Sequence, residues 1–164
     1  MIGFTREADG FSLLVNGVKL LSHSADAPCA YVGVGRETID MYRGNFDISD
    51  EIEERVPLRG FALRGDTAEL VSPDGLHRMT LRAFEENGRL RLTGAYDDPR
   101  CNRLWLRLRA EKDEDVYGAG EQFSYFALRG RKFPIWTSEQ GVGRNKNSEI
   151  TFLSDLNARA RGDY

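Results

Sequence analysis

Apolar and polar residues alternate with period two in several short runs of this chain, and the clearest is residues 102–110. There Leu104, Leu106 and Leu108 fall on one side, and Arg103, Trp105, Arg107 and Arg109 on the other. Successive side chains of a strand point to opposite faces. The run therefore predicts a strand over 102–110, with leucines inward and arginines on a solvated face where one can stack on Trp105. Residues 11–15 and 18–21 flank Asn16-Gly17, and residues 76–84 and 89–96 flank Asn87-Gly88. Asn-Gly supplies the positive φ angles of a tight hairpin, so each flanking pair predicts a hairpin. Asp9-Gly10, Pro73-Asp74-Gly75 and Asp97-Asp98-Pro99 punctuate the rest. Helical signal is scant. Residues 49–55 offer one short turn, capped by Ser49 or Asp50, with Glu53 or Glu54 in its first turn and Pro57 ending it. Short strands at this spacing predict an all-β chain folded as a β-sandwich or barrel.

Composition permits a packed core. Of 164 residues 40% are hydrophobic and 17 are glycine, ordinary for one globular domain. Charged residues make up 30%, with a net charge of -3 and a pI near 5.5, which weighs against a general nucleic-acid binder. Cys29 and Cys101 are too few for a disulfide framework and are expected as reduced, buried thiols. His23 and His77 are too few for a histidine-rich metal site. The start, residues 1–7, lacks a basic region followed by an apolar run, and no apolar stretch approaches the roughly 20 residues of a membrane span. A cytoplasmic protein without membrane or nucleic-acid partners is the expectation.

The pattern breaks after Val116. Residues 117–147 are rich in glycine, aromatics and charge and show no period. A loop this long in a compact domain is functional or disordered. Phe123, Tyr125, Phe126, Phe133 and Trp136 make it too apolar for a solvated tail. From residue 129 to 146, five bases (Arg129, Arg131, Lys132, Arg144, Lys146) face one acid, Glu139. These residues suit sugar recognition. Tyr125 and Trp136 can cover the apolar face of a pyranose, Glu139, Gln140 and Arg144 can bond its hydroxyls, and a base can pair with an anionic group. Alternatively the aromatics only pin the loop to a sheet, the role expected of Phe123, Phe126 and Phe133.

Other motifs carry less. Gly118-Ala119-Gly120 lacks the third glycine and the helix of a dinucleotide fingerprint, and Gly141-Val142-Gly143-Arg144-Asn145-Lys146 lacks a phosphate-loop ending. Asp47, Asp50, Glu51, Glu53 and Glu54 do not have calcium-ligand spacing and read as a solvated face. No nucleophile motif is present. Glu121 and Glu139 are a conceivable carboxylate pair for glycoside hydrolysis, with a separation the sequence does not reveal. Residues 159–164 read as mid-chain sequence, so a truncated chain is expected.

The loop also resembles glycoside hydrolase family 31, in particular its bacterial sulfoquinovosidase subgroup. The residues that carry the resemblance are Tyr117-Gly118-Ala119-Gly120-Glu121-Gln122-Phe123-Ser124-Tyr125-Phe126, Leu128-Arg129-Gly130, and the run from Phe133-Pro134-Ile135-Trp136 through Thr137-Ser138-Glu139-Gln140-Gly141-Val142-Gly143-Arg144-Asn145-Lys146. Asp40-Met41-Tyr42-Arg43-Gly44-Asn45-Phe46 and Asn102-Arg103-Leu104-Trp105-Leu106-Arg107-Leu108 are similar to the same subgroup. The Gly-x-Gly-Glu piece is general to the family, and the run from Thr137 to Lys146 is more specific.

The resemblance implies an amino-terminal β-sandwich of the galactose-mutarotase-like type over residues 1–164, incomplete, with a substrate-site loop at 117–147. In the family a (β/α)8 barrel follows and carries the aspartate nucleophile and the aspartate acid/base of a retaining mechanism. No residue of this chain matches either aspartate, so none is assigned as catalytic and the chain alone is expected to be inactive. The implied function is that of a domain of a retaining α-glycosidase acting on α-sulfoquinovosides. The implied partners are the carbohydrate substrate and the barrel. No cofactor or metal is implied. The residues that match the substrate-facing loop are Trp136, Glu139, Gln140 and Arg144, and Arg144 and Lys146 suit an anionic substrate. The competing readings are a free-standing carbohydrate-binding module, which needs a complete sandwich and an exposed aromatic platform, a structural β-sandwich whose loop packs against another domain, marked by an apolar loop face that nothing in the chain buries, and part of a neutral-sugar α-glucosidase.

Overall fold

The computed structural model describes residues 2–42, 45–118 and 127–131, with strand residues 39–42 and 45–48 as backbone only. Among the described residues there are ten strands and no helix. They are β1 (Ile2–Glu7), β2 (Gly10–Val15), β3 (Val18–Ser24), β4 (Ala30–Tyr42), β5 (Asn45–Pro57), β6 (Gly60–Arg64), β7 (Thr67–Val71), β8 (Arg78–Glu86), β9 (Arg89–Tyr96) and β10 (Arg103–Leu106). Three sheets result, ordered β1-β2-β3, β10-β4-β5 and β6-β7-β8-β9. The chain is all-β, as its turn spacing predicts.

Both Asn-Gly hairpins form. Asn16 and Gly17 take φ of 50° and 85°, and Asn87 and Gly88 take 54° and 75°. Positive φ at both central residues is what a two-residue hairpin turn requires, and asparagine tolerates it better than other side chains. The first hairpin joins β2 to β3 with a register shift between Leu13 and Leu14. The second joins β8 to β9 without one.

The chain divides into two units, residues 1–35 with 52–111, and residues 36–51 with 112–164. The first unit holds one core fed by all three sheets. Phe11, Leu13 and Leu21 come from the first, Ala30 and Val32 from the second, and Ala68, Leu70, Met79, Leu81 and Ala83 from the third. Sheets that share a core across their inner faces follow the packing logic of a sandwich. Strand β8 shows it plainly: Met79, Leu81 and Ala83 are buried while Arg78, Thr80 and Arg82 between them are exposed. On β2 four consecutive residues, Gly10 to Leu13, are buried, so both faces of that strand are covered. Buried Ser12 donates to Glu7 Oε1 at 2.7 Å, which satisfies its hydroxyl.

In the second unit, Arg36 and Glu51 pair at 3.3 Å, both well exposed. The Leu128 amide donates to the Val116 carbonyl at 2.7 Å and the Arg131 amide to the Leu128 carbonyl at 3.0 Å. Leu128 is buried, and Gly130 has φ of 70° in the turn that follows it.

Two expectations are corrected. Residues 49–55 are not a helical turn but the middle of β5. Cap and acidic first-turn signals are local, and pairing of β5 beside β4 overrides them. The strand expected over 102–110 spans only Arg103–Leu106. Past Leu106 the backbone leaves β4, and the amides of Arg107 and Arg109 donate instead to the carbonyls of Cys29 (2.7 Å) and Leu20 (2.8 Å). Leu106 packs on the core, whereas Leu104 and Leu108 are 46% and 58% exposed rather than inward.

Candidate functional site

The four residues expected to face substrate, Trp136, Glu139, Gln140 and Arg144, lie outside the described residues. So do Glu121, Phe123, Tyr125, Phe126, Lys132, Phe133 and Lys146. Of the 117–147 segment the structure describes Tyr117, Gly118 and residues 127–131. These ends are organised. The Leu128–Val116 hydrogen bond brings together residues twelve apart in sequence, and Arg129 Nη1 donates to the Glu114 carbonyl at 2.6 Å. The Tyr117 hydroxyl donates to Asp115 Oδ2 at 3.1 Å, and that bond raises the tyrosine pKa. Val116 and Leu128, on either side of residues 117–127, are thus joined by a main-chain hydrogen bond.

In the first unit three clusters could carry chemistry. One is aromatic. Trp105 on β10 is the register partner of Tyr31 on β4, and the Arg55 guanidinium from β5 lies 4.3 Å from the Tyr31 ring and 4.9 Å from the Trp105 ring. The stacking arginine comes from another strand rather than from Trp105's own.

The second cluster surrounds His23. Its ring stacks on Phe11, with centroids 4.8 Å apart and planes 14° apart, and meets Phe61 edge-on. The Cys29 amide donates to His23 Nδ1 at 3.4 Å, so the ring proton sits on Nε2, which donates to the Arg59 carbonyl at 3.1 Å. Burial lowers the His23 pKa and keeps the ring neutral, and burial pushes the Cys29 thiol up to about 12.

The third cluster is His77, Asp98 and Cys101, and two turns build it. Residues 98–101 form a turn closed by the Cys101 amide, which donates to the Asp98 carbonyl at 3.1 Å, with Pro99 and Arg100 at its centre. The Arg100 amide donates to Asp98 Oδ1 at 2.9 Å, an Asx turn on the same carboxylate. The Arg100 side chain adds bonds of 3.1 Å to Oδ1 and 2.8 Å to Oδ2, and these hold the Asp98 carboxyl at about 2. His77 enters from the turn after β7, where the Ser72 amide donates to the His77 carbonyl at 2.9 Å and the His77 amide to Ser72 Oγ at 3.0 Å. Nδ1 of His77 stands 3.3 Å from Asp98 Oδ2 and 3.8 Å from Cys101 Sγ. Sequence reading missed both histidine–cysteine pairs, because the partners lie 6 and 24 residues apart in no metal-ligand spacing.

No protein-family model matches the chain. A solved glycoside hydrolase family 31 sulfoquinovosidase from E. rectale, in complex with the aza-sugar inhibitor IFGSQ, is 41% identical over 98% of this chain with a TM-score of 0.69. The fold is therefore that of an all-β part of a family 31 enzyme. The sulfoquinovosidase of Agrobacterium fabrum is 50% identical over 161 residues, and that of Escherichia coli is 43% identical over 171 residues, each match covering 98% of this chain. The chain is related throughout its length to sulfoquinovosidases and spans 24% of the length of each relative. No helix among the described residues is long and apolar enough to cross a membrane.

Proposed function

We propose that this chain is the amino-terminal β domain, residues 1–164, of a retaining α-glycosidase that cleaves α-sulfoquinovosides, and that residues 117–147 lend side chains to its sugar site. The observation that carries the reading is a likeness of 50% and 43% identity to two sulfoquinovosidases over 98% of the chain. Coverage of that extent includes the loop. The catalytic aspartates and the barrel belong to the remainder of the enzyme, and the 164 residues alone release no sugar. The two buried thiols suit a reducing, cytoplasmic setting.

In this reading Trp136 walls the apolar face of the sugar, Glu139 and Gln140 bond its hydroxyls, and Arg144 offers a planar donor fork to an oxygen-rich group. No cofactor takes part. The test is Arg144→Ala in the longer enzyme that contains this chain. Loss of a charge-assisted bond costs about 1.5–3 kcal/mol, so kcat/KM falls by about 10–150-fold. An unchanged kcat/KM removes Arg144 from the site.

The free-standing carbohydrate-binding alternative would need an open aromatic platform. Tyr31 and Trp105 stand side by side on the sheet, and Arg55 already covers both rings.

A further inference from the structure

His77, Asp98 and Cys101 have no part in the sugar site proposed above, yet they bring three metal-ligating atoms of three chemical types to one point. We propose that they bind a borderline-soft divalent cation, for which Zn2+ is the best fit. The three ligand atoms lie within 4.8 Å of one another. Zinc takes nitrogen and oxygen ligands at about 2.0–2.1 Å and sulfur at about 2.3 Å in a tetrahedron, which fixes the ligand-to-ligand edges at about 3.3 Å for nitrogen–oxygen and about 3.6 Å for nitrogen–sulfur. Two of the three separations, His77 Nδ1–Asp98 Oδ2 at 3.3 Å and Nδ1–Cys101 Sγ at 3.8 Å, approach those edges.

The ligands are held before any ion arrives. Two hydrogen bonds to Ser72 fix the His77 main chain, the turn that joins Asp98 and Cys101 fixes both, and the His77 ring meets both partners. His77 and Cys101 are 4% and 5% exposed and Asp98 has a side-chain exposure of 11%, so an ion here would shed most of its water in exchange for protein ligands. Three protein ligands leave a fourth position for water.

Binding is a simple exchange. The Cys101 thiol gives up its proton to solvent as the sulfur–metal bond forms. The His77 Nδ1 proton that faces Asp98 Oδ2 is released to solvent and Nε2 takes up one in its place, so the ring stays neutral and the Nδ1 lone pair faces the ion. No redox change is involved. Opposing the ion is Arg100, whose guanidinium grips the same carboxylate and whose side chain is 73% exposed. It places a positive charge beside the site and occupies Asp98 Oδ2, so the site is tuned to moderate affinity.

That competition gives a test that a merely structural cluster would fail. Metal-stripped protein is titrated with Zn2+ against a chromophoric chelator, and with Co2+ while the thiolate-to-cobalt absorption is followed. One ion per chain is expected, with the cobalt–thiolate band. Cys29→Ser keeps both. Cys101→Ser and His77→Gln weaken binding by at least about 100-fold. Arg100→Gln, a change at an exposed side chain, tightens it by at least about threefold, as expected for removing a neighbouring like charge. Absence of saturable Zn2+ binding, binding unchanged in Cys101→Ser, or a cobalt complex without the thiolate band overturns the proposal. Should Cys101→Ser or His77→Gln fail to fold, the band in Cys29→Ser and the affinity of Arg100→Gln decide it alone.

Discussion

Trp105 on β10 stands directly across from Tyr31 on β4, and the two rings share one guanidinium, that of Arg55 on β5. Three strands of one sheet thereby contribute to a single stack. The stack adds to the ladder of the short strand β10, beside which Asn102 bonds Gly33 and Gly35 of β4.

Such a stack should show energetic coupling. Arg55→Ala is expected to cost about 0.5–1 kcal/mol, the range of an exposed cation–π contact. Most of that cost should vanish when Trp105 and Tyr31 are already alanine. A double-mutant cycle by urea unfolding checks it, and strictly additive losses would mean that the guanidinium merely lies near the rings.

Gly33 on β4 has a different role. A Cβ there would lie 2.0 Å from the Glu54 carbonyl oxygen and 3.0 Å from Trp105 Cζ3. The nearer obstacle is backbone, which cannot swing aside. Gly33→Ala should therefore destabilise by about 2 kcal/mol or more, as overpacking does. Gly3→Ala, where nothing lies within 4 Å, is the control and should be near neutral. Equal denaturation midpoints for the two variants would contradict this.

His23 makes stability depend on pH. Burial lowers its pKa in the folded chain below the ordinary 6.5. In the unfolded chain it takes up a proton near 6.5, so below that pH the unfolded state binds more protons than the native one. Stability is then complete above 6.5 and is lost as pH falls toward the folded value, with a slope of at most about 1.4 kcal/mol per pH unit. Denaturant unfolding at pH 7.5 and at pH 5.5 should show a smaller loss in His23→Phe than in the unaltered chain. Equal losses would indicate that the ring is charged or solvated in the native state.

The thiols should be quiet. With Cys29 at about 12 rather than 9.0, its thiolate fraction near neutrality falls about a thousandfold, and Cys101 is raised in the same direction by burial. Native protein should react with a disulfide reagent only on the timescale of unfolding, and both thiols should titrate promptly in denaturant. Rapid native labelling of Cys29 would show that the core around it opens.

Much of the fold could be read from local chemistry. Asn16-Gly17 and Asn87-Gly88 announce their hairpins because only a few residues accept positive φ. Leu104 and Leu108 mislead because alternation shows that two faces differ but not where the neighbouring strand stops. Residues 49–55 mislead because a cap signal carries no information about pairing with β4. The His77–Asp98–Cys101 cluster is silent in sequence, since a turn and a strand hairpin separate His77 from its partners. Trp136, Glu139, Gln140 and Arg144 stand as expectations from their residue types and from the family resemblance, outside the described residues. Sugar-binding residues have no required spacing, and the described residues do not reach them.

The most direct test of the account is hydrolysis by the longer enzyme that contains this chain. Its kcat/KM should be measured for a nitrophenyl α-sulfoquinovoside and for the matching nitrophenyl α-glucoside, with the 164-residue chain assayed alongside. Turnover of the sulfonated substrate well above the neutral one is expected, and none by the chain alone. Equal or better turnover of the glucoside, or release of nitrophenol by the 164 residues themselves, would contradict it.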